Sequence, residues 1–322
     1  MSRFHFALLL FAVCGCNRQE APPAVQAPSA TPGPSTPAKR SLSEARRGFQ
    51  TKVIRNDPSA DPLPAPPAGV FRIVRYEAPP GKLAAYLSPD PKDGKKHPAI
   101  IWITGGDCNS VDDSIWHKAP AANDQTASAY REAGIPMMFP ALRGGNDNPG
   151  VREGFFGEVD DVLAAAAFLA QQEFVDPQRI YLGGHSTGGT LVLLAAASSE
   201  RFRAVFSFGP AHDVAGYGPE YRPFDSSNPR ELELRSPGRW LHSMQVPVFV
   251  FEGTVQGNLD SLQAMARSSQ NPKLHFHPVK GANHFSVLAP TNRLIAQKIL
   301  RDDGPTANLA FTEEELGKPF GR

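Results

Sequence analysis

The fold is decided by the stretch RIYLGGHSTGGTLVLLAAA, residues 179–197. Its first part is an apolar run typical of a buried strand, and the part from Thr187 onward has a helical composition. Ser186 lies at the junction, with Gly184 and Gly188 two residues away on either side. This G-x-S-x-G pattern between a strand and a helix predicts a sharp turn that exposes a nucleophilic hydroxyl. A tight turn that merely contains a serine is the alternative interpretation.

The surrounding sequence alternates between apolar strands and amphipathic helices from about residue 70 to residue 303. This alternation predicts an α/β fold with a mostly parallel sheet covered by helices on both faces. No helix separates the first two strands, so we expect them to form an antiparallel hairpin at the sheet edge. The predicted strands are 70–76, 82–88, 97–106, 135–140, 179–184, 203–209, 246–253 and 273–279, and the predicted helices are 122–134, 158–172, 187–199, 258–269 and 291–303.

Composition excludes some classes of function. The 322 residues carry a formal net charge of +1, with 41% hydrophobic and 20% charged residues. These values are typical of a globular protein, and the absence of a basic excess argues against a nucleic-acid partner. No metal-ligand cluster, dinucleotide fingerprint or phosphate loop stands out, so the sequence predicts no metal and no other cofactor.

The first 16 residues resemble a bacterial lipoprotein signal peptide. Arg3 is followed by an apolar run at 4–13, which is too short to cross a bilayer, and Gly15 precedes Cys16. The resemblance implies lipidation of Cys16 and a location in the bacterial cell envelope, facing the periplasm or at the surface. An ordinary secretory signal is the alternative. With Cys16 lipidated, Cys108 would be the remaining free cysteine, and we expect it to be structural.

Three further segments follow this signal. Residues 17–69 are predicted to be a proline-rich tether and N-terminal extension, because their early part has few large apolar side chains. Residues 70–303 form the main domain, and residues 304–322 form a C-terminal tail. Within the domain, residues 210–243 lack clear periodicity and interrupt the alternation, which suggests a lid.

The strand, the G-x-S-x-G turn and the helix together resemble the α/β-hydrolase family over residues 70–303. Within it, the sequence is most similar to the dienelactone-hydrolase and prolyl-oligopeptidase-like branch. The resemblance implies the chain order serine, acid, histidine. His284 follows the last predicted strand in KGANHFSVLAP (280–290) and is therefore the expected general base.

The resemblance also implies an oxyanion hole formed by two backbone amides. One would come from Thr187, directly after the nucleophile. The other would come from the loop after strand 97–106, where Thr104 stands in place of the family's usual histidine. Gly106 is the expected donor in that loop, with Asp107 next.

The acid departs from the family pattern. Where the family has an aspartate after the 246–253 strand, this sequence has Gln256, which cannot stabilise an imidazolium as a carboxylate does. Glu252, Asp213 and Asp260 are the candidate replacements, and a site without a working acid is the fourth possibility. Loss of a triad acid lowers turnover about 10⁴-fold without abolishing it.

The sequence therefore predicts a serine hydrolase that cleaves an ester or a peptide bond through an acyl-enzyme on Ser186. Small esters and short peptides are the expected substrates, because no propeller-type segment precedes the domain in this sequence. The alternative is a catalytically impaired envelope protein with the same fold and a binding role.

Overall fold

The computed structural model describes residues 39–57, 59 and 61–321. Within them lies an eight-stranded sheet of order β1-β2-β4-β3-β5-β6-β7-β8. The strands are β1 (Arg72–Ala78), β2 (Gly81–Leu87), β3 (His97–Ile103), β4 (Met137–Pro140), β5 (Val175–His185), β6 (Val205–Phe208), β7 (Val248–Gly253) and β8 (Leu274–Val279).

The sheet is parallel from β4 through β3 to β8, and it is antiparallel where β1 pairs with β2 and β2 with β4. The predicted fold class and the antiparallel edge hairpin are therefore confirmed. In β3 every residue after His97 is buried, because helices cover both faces of a parallel sheet.

Helices pack on both faces of the sheet. Apolar side chains of α1, α3, α4, α5 and α6 join the core on one face, and those of α2, α7 and α8 join the core on the other. The helices are α1 (Leu42–Arg46), α2 (Ser128–Glu132), α3 (Glu158–Leu169), α4 (Thr187–Ser198), α5 (Pro229–Arg235), α6 (Leu259–Ser268), α7 (Leu288–Arg301) and α8 (Glu313–Gly317).

One predicted helix is much shorter than expected. The pattern at 122–134 predicts thirteen helical residues, but α2 spans only Ser128–Glu132. The Asp124 carboxylate accepts hydrogen bonds from the amides of Thr126 and Ser128 and from both their hydroxyl groups. Such local bonds compete with helical ones, and they hold residues 124–127 in a turn.

Residues 210–243 are built mostly of short helical pieces between β6 and β7. The segment contains α5 and the 3₁₀ helices Val214–Gly216, Pro219–Tyr221, Pro237–Arg239 and Leu241–Ser243.

Both flanks of the predicted domain pack against it. Leu42 of α1 is fully buried, and Phe311 and Leu316 in the predicted C-terminal tail are at most 8% exposed. The predicted signal peptide, Cys16 and most of the predicted tether lie outside the described residues. Among the described helices, none has the length and apolar character needed to span a bilayer.

Candidate active site

The turn between β5 and α4 has the strained geometry that the sequence predicts. Ser186 has φ 55° and ψ −113°, a region that L-residues rarely occupy. Its amide donates a 2.7 Å hydrogen bond to the carbonyl of Phe208 at the end of β6. A Cβ atom at Gly184 would collide with the backbone of Gly188, and one at Gly188 would collide with the carbonyl oxygen of Ile103 at the end of β3. Both glycines are therefore required by close backbone approach.

One ring nitrogen of the predicted base, His284, is hydrogen-bonded to a buried carboxylate. His284 Nδ1 lies 2.9 Å from Oε2 of Glu252, whose side chain is fully buried at the end of β7. A carboxylate only accepts, so Nδ1 carries the proton and Nε2 is left as the basic nitrogen. The backbone holds the same ring in place, because the amide of His284 donates to the carbonyl of Gln256 at 2.8 Å. Of the candidate acids, Glu252 is the one brought to His284.

Asp213 and Asp260 have other surroundings. Asp213 accepts hydrogen bonds from the amide of Ala215 and the hydroxyl of Ser236, and it caps a 3₁₀ helix. Asp260 is exposed in the first turn of α6. Neither carboxylate makes a hydrogen bond or ion pair with His284 in the described part of the chain.

Asn258 holds the Glu252 carboxylate instead of capping a helix. The side chain of Asn258, which directly precedes α6, makes no capping bond to that helix. The backbone amide of Asn258 donates to Glu252 Oε2 at 2.9 Å, and its side-chain Nδ2 donates to the carbonyl of Gly209 at 2.7 Å. The amide of Gly253 donates to Oε1 at 2.7 Å. With His284 Nδ1, these two backbone amides give the Glu252 carboxylate three hydrogen-bond donors.

Gly209 is the contact between the serine turn and the histidine loop. It follows Phe208, whose carbonyl binds the Ser186 amide, and a Cβ at this position would lie 2.6 Å from His284 Nδ1 and 2.7 Å from Glu252 Oε2. Within the described residues, the Ser186 hydroxyl and the His284 ring are not hydrogen-bonded to each other. Catalytic hydrogen bonds are often long or poorly aligned before substrate binds, so the missing bond is compatible with proton transfer from Ser186 to His284.

Two of the predicted oxyanion amides, those of Thr187 and Gly106, have no hydrogen-bond acceptor in the described part of the chain. Thr187 opens α4, where an amide has no partner within the helix. The Gly105 amide, by contrast, donates to Gln125 Oε1. Thr187 Oγ1 donates to the carbonyl of Gly106 at 2.9 Å and so ties the two predicted oxyanion residues together. Gly106 has φ 73°, a conformation suited to glycine.

The Gly106 loop rests on a second, buried loop. Asn109 Nδ2 donates to the carbonyl of Arg143 at 2.8 Å and to Glu158 Oε1 at 3.2 Å. Arg143 in turn binds both oxygens of the buried Asp161. Residues 141–150 therefore support the loop that carries Gly106.

His185 and Cys108 lie beside the site without carrying reactive protons. Burial, and then the charge of His284, lower the pKa of His185 to about 3, so His185 is neutral at pH 7. Its Nε2 donates to the carbonyl of His284 at 3.1 Å and fixes the histidine loop. Burial raises the pKa of the Cys108 thiol, which keeps the group protonated and unreactive.

The described part of the chain resembles solved hydrolases in its backbone. Residues 155–299 match the model of the prolyl oligopeptidase family. A puromycin-hydrolysing peptidase of Mycobacterium tuberculosis is 21% identical, with a TM-score of 0.57 over 72% of this chain and 39% of that one. The Pyrococcus horikoshii acylaminoacyl peptidase is 16% identical, with a TM-score of 0.56 over 76% of this chain and 44% of that one. A Pyrobaculum calidifontis esterase is 19% identical, with a TM-score of 0.54 over 73% of this chain and 86% of that one.

This is the α/β-hydrolase fold. The chain spans about two fifths of the length of the puromycin-cleaving peptidases that it matches. In an α/β-hydrolase sheet the carboxyl ends of parallel strands meet at one edge, where ligands bind. Gly106, Ser186, Gly209, Glu252 and His284 each end or follow one of five neighbouring strands at this edge.

A cavity of about 210 Å³ opens beside the Gly106 loop of this α/β-hydrolase domain. Its lining comes from the N-terminal extension, the Gly106 loop, the loop before α3 and the 210–243 segment. The residues are Arg55, Asp57, Gly106, Asp107, Cys108, Asn109, Arg152, Gly154, Phe155, Glu220, Tyr221 and Pro223.

Sequence reasoning missed Asn258 and Gly209 as parts of the site, and Arg55 and Arg152 in the cavity. No local motif marks these residues, because long-range packing alone brings them to the site.

Proposed function

We propose that this protein is a serine hydrolase that cleaves an ester or peptide bond through an acyl-enzyme on Ser186. The observation that most supports this proposal is the 2.9 Å hydrogen bond between His284 Nδ1 and the buried Glu252 carboxylate. That bond fixes the tautomer in which Nε2 can accept a proton. The match of residues 155–299 to the prolyl oligopeptidase family supports the same activity.

In the proposed reaction, the Ser186 hydroxyl attacks the substrate carbonyl and transfers its proton to His284 Nε2. Glu252 stabilises the resulting imidazolium, and the amides of Thr187 and Gly106 stabilise the oxyanion; one such amide contributes about 3 kcal/mol. His284 then gives the proton to the leaving alcohol or amine. Water, deprotonated by the same histidine, releases the acyl group and restores Ser186.

Replacement of Ser186 by alanine tests this proposal. We expect the wild-type protein to hydrolyse p-nitrophenyl acetate and to react with a fluorophosphonate probe, and we expect Ser186→Ala to lower kcat by about 10⁴-fold or more. Ser199→Ala, at the end of α4, is a matched control that should keep both properties. A wild-type protein that neither turns over esters nor labels at Ser186, beside a control esterase that does both, would contradict the proposal.

The alternative function is binding by a catalytically impaired envelope protein. Its main support in the sequence was Gln256, where the family has its acid. The Glu252 carboxylate bonded to His284 weighs against this alternative, because a carboxylate in that position can orient and stabilise the base. Ester turnover lost in Ser186→Ala would exclude the alternative.

We also propose that Cys16 is lipidated and anchors the protein in the bacterial envelope. The support is the sequence alone: an apolar run followed by Gly15, Cys16 and a proline-rich spacer. We expect the full chain, made in a bacterial host, to enter the detergent phase in Triton X-114 partitioning, and Cys16→Ser to stay in the aqueous phase. Equal partitioning of the two proteins would contradict lipidation.

A further inference from the structure

Residues 51–57, which we call the strap, form a wall of the cavity beside Gly106. Val53 pairs with Phe224 in an antiparallel bridge. The amides of Ile54 and Arg55 donate to the carbonyl of Pro223, and the amide of Asp225 donates to the carbonyl of Lys52. The strap is therefore joined to the 210–243 segment by backbone hydrogen bonds.

A buried ion pair anchors the start of the strap. Glu231 on α5 accepts hydrogen bonds from Thr51 Oγ1 at 2.9 Å and from the amide of Lys52 at 2.7 Å. Glu231 also pairs with Arg235, and both side chains are fully buried. Breaking a buried pair is costly, so this end of the strap is fixed.

Arg55 fastens the other end of the strap over the cavity. Its guanidinium pairs with Asp57 at 2.6 Å and donates to the carbonyls of Pro219 and Glu220. All three guanidinium nitrogens are thus engaged in holding the wall together. Arg55, Asp57, Glu220 and Tyr221 line the cavity opposite Gly106.

The position of the cavity identifies the part of a substrate that would enter it. The substrate carbonyl oxygen would lie at the Gly106 and Thr187 amides, and the leaving group must lie near His284, which protonates it. The cavity is lined by Gly106 but not by His284 or its neighbours. The group on the other side of the carbonyl carbon, which is the acyl group, therefore faces the cavity.

The cavity favours a short, uncharged acyl group. Its volume of about 210 Å³ is below the roughly 300–1,000 Å³ of pockets for drug-sized ligands. Its two guanidinium groups are already neutralised, Arg55 by Asp57 and Arg152 by Asp107 at 2.9 Å. The carboxylate of Glu220 would oppose an anionic acyl group.

We propose that the strap closes the acyl side of the site and that Arg55 sets the length of acyl group that the enzyme accepts. This inference rests on the proposed hydrolase function. Arg55 takes no part in the reaction itself, and it acts by holding the strap against the 210–243 segment. The expected preference is for short neutral acyl chains, with longer chains excluded by the strap wall.

The test compares p-nitrophenyl acetate, butyrate, hexanoate and octanoate, which share one leaving group. We expect the kcat/KM of the wild type to fall steeply beyond butyrate. In Arg55→Ala we expect the octanoate-to-acetate ratio of kcat/KM to rise about tenfold over that of the wild type. Arg55→Lys should give a smaller rise, because a lysine keeps one of the contacts.

Two further variants control the test. Arg230→Ala removes an ion pair with Glu233 and a hydrogen bond to the carbonyl of Ala45 in the N-terminal extension, but Arg230 does not line the cavity. The octanoate-to-acetate ratio of this variant should equal that of the wild type. Tyr221→Ala, which widens the cavity directly, should raise the ratio even if Arg55→Ala folds poorly.

The failures of the two proposals are distinguishable. An unchanged ratio in both Arg55→Ala and Tyr221→Ala, with Ser186 still labelled by fluorophosphonate at the wild-type rate, would overturn the strap inference alone. Wild-type protein that neither turns over esters nor labels at Ser186 would overturn the hydrolase function itself.

Discussion

Glu252 lies against His284, four residues before the position at which the α/β-hydrolase pattern has an aspartate. It ends β7 with its side chain fully buried, and its two oxygens accept from Gly253, Asn258 and His284. The longer glutamate side chain lets a residue on the strand itself reach the histidine. Gln256 contributes its backbone carbonyl, which binds the His284 amide.

Replacement of Glu252 by glutamine should lower kcat by about 10³- to 10⁴-fold, because a neutral amide cannot stabilise the imidazolium or hold the same tautomer. KM should change little, since the carboxylate does not contact substrate. Steady-state kinetics on p-nitrophenyl acetate would measure this. Asp213→Asn and Asp260→Asn serve as controls. A large kcat loss in either control, with full activity in Glu252→Gln, would contradict the assignment of the acid.

Replacement of Thr187 by valine should reduce kcat about tenfold, with KM nearly unchanged. Valine keeps the shape but loses the hydrogen bond to the Gly106 carbonyl, so the Gly106 amide is less well positioned. The effect should be smaller than the roughly 10²- to 10³-fold cost of losing an oxyanion donor outright. Thr187→Ser should restore most of the rate, and equal losses in the serine and valine variants would argue against this positioning role.

At the scale of elements, α4 docks against the sheet through its glycines. Gly188 contacts the carbonyls that end β3, and a Cβ at Gly189 would crowd the Phe208 carbonyl that ends β6. The helix therefore begins between β3 and β6, the two strands that flank β5, and it is buried along almost its whole length. This close docking is what brings the amide of Thr187 next to the Gly106 loop.

Replacement of Gly188 by alanine should destabilise the protein by about 1–3 kcal/mol, because the new methyl group must displace the backbone at the end of β3. The same displacement separates the two oxyanion amides, so kcat should fall as well. Urea denaturation and ester kinetics would measure the two effects. The control is Gly216→Ala, where a Cβ would meet open space; full stability and activity in Gly188→Ala would contradict the close docking.

At the scale of the whole molecule, the C-terminal segment completes the core beside β7 and β8. Phe311 packs against Phe249, Phe251 and His277 with ring centroids 5.0–5.9 Å apart. Burial, and then the charge of His275, lower the pKa of His277 to about 4. Its Nε2 is buried and has no hydrogen-bond partner among the described residues. His277 is therefore held neutral in an apolar setting.

This setting predicts acid sensitivity of the fold. In the unfolded chain His277 binds a proton near pH 6.5, but in the folded protein it does so only near pH 4, so the unfolded state binds more protons between these values. The free energy of unfolding should therefore decrease as the pH falls from 7.5 to 5, and His277 should account for about 1–2 kcal/mol of that decrease. His185 should contribute in the same direction, because burial lowers its pKa too.

Replacement of His277 by phenylalanine should keep the aromatic stack and remove this part of the pH dependence. Urea denaturation at pH 7.5 and pH 5 would measure the difference in unfolding free energy. His117→Gln is the control, since that side chain is 65% exposed. An equal loss of stability at pH 5 in the wild type and in His277→Phe would contradict the prediction.

Local sequence patterns were enough to predict the parallel sheet, the serine turn and the loop that carries His284. Strand and helix periodicity is local, and G-x-S-x-G is a local backbone requirement, so neighbouring residues suffice to predict both. At Asp124, where side-chain hydrogen bonds compete with helical ones, the same reasoning predicted a longer helix than the one observed. The described residues begin at 39, so the lipidation of Cys16 stays a prediction of the sequence.

The packing of strands and loops was needed to identify the carboxylate that contacts His284 and the residues that line the cavity beside Gly106. Glu252, Asp213 and Asp260 were all candidates along the chain, because the reach of a side chain to a residue 24 or more positions away depends on strand order and loop packing. The same holds for Asn258, Gly209 and Arg55. Parallel strands gather their carboxyl ends at one edge, where residues from five strands, Ser186 among them, lie at or just beyond the strand ends. The N-terminal strap lies beside the Gly106 loop.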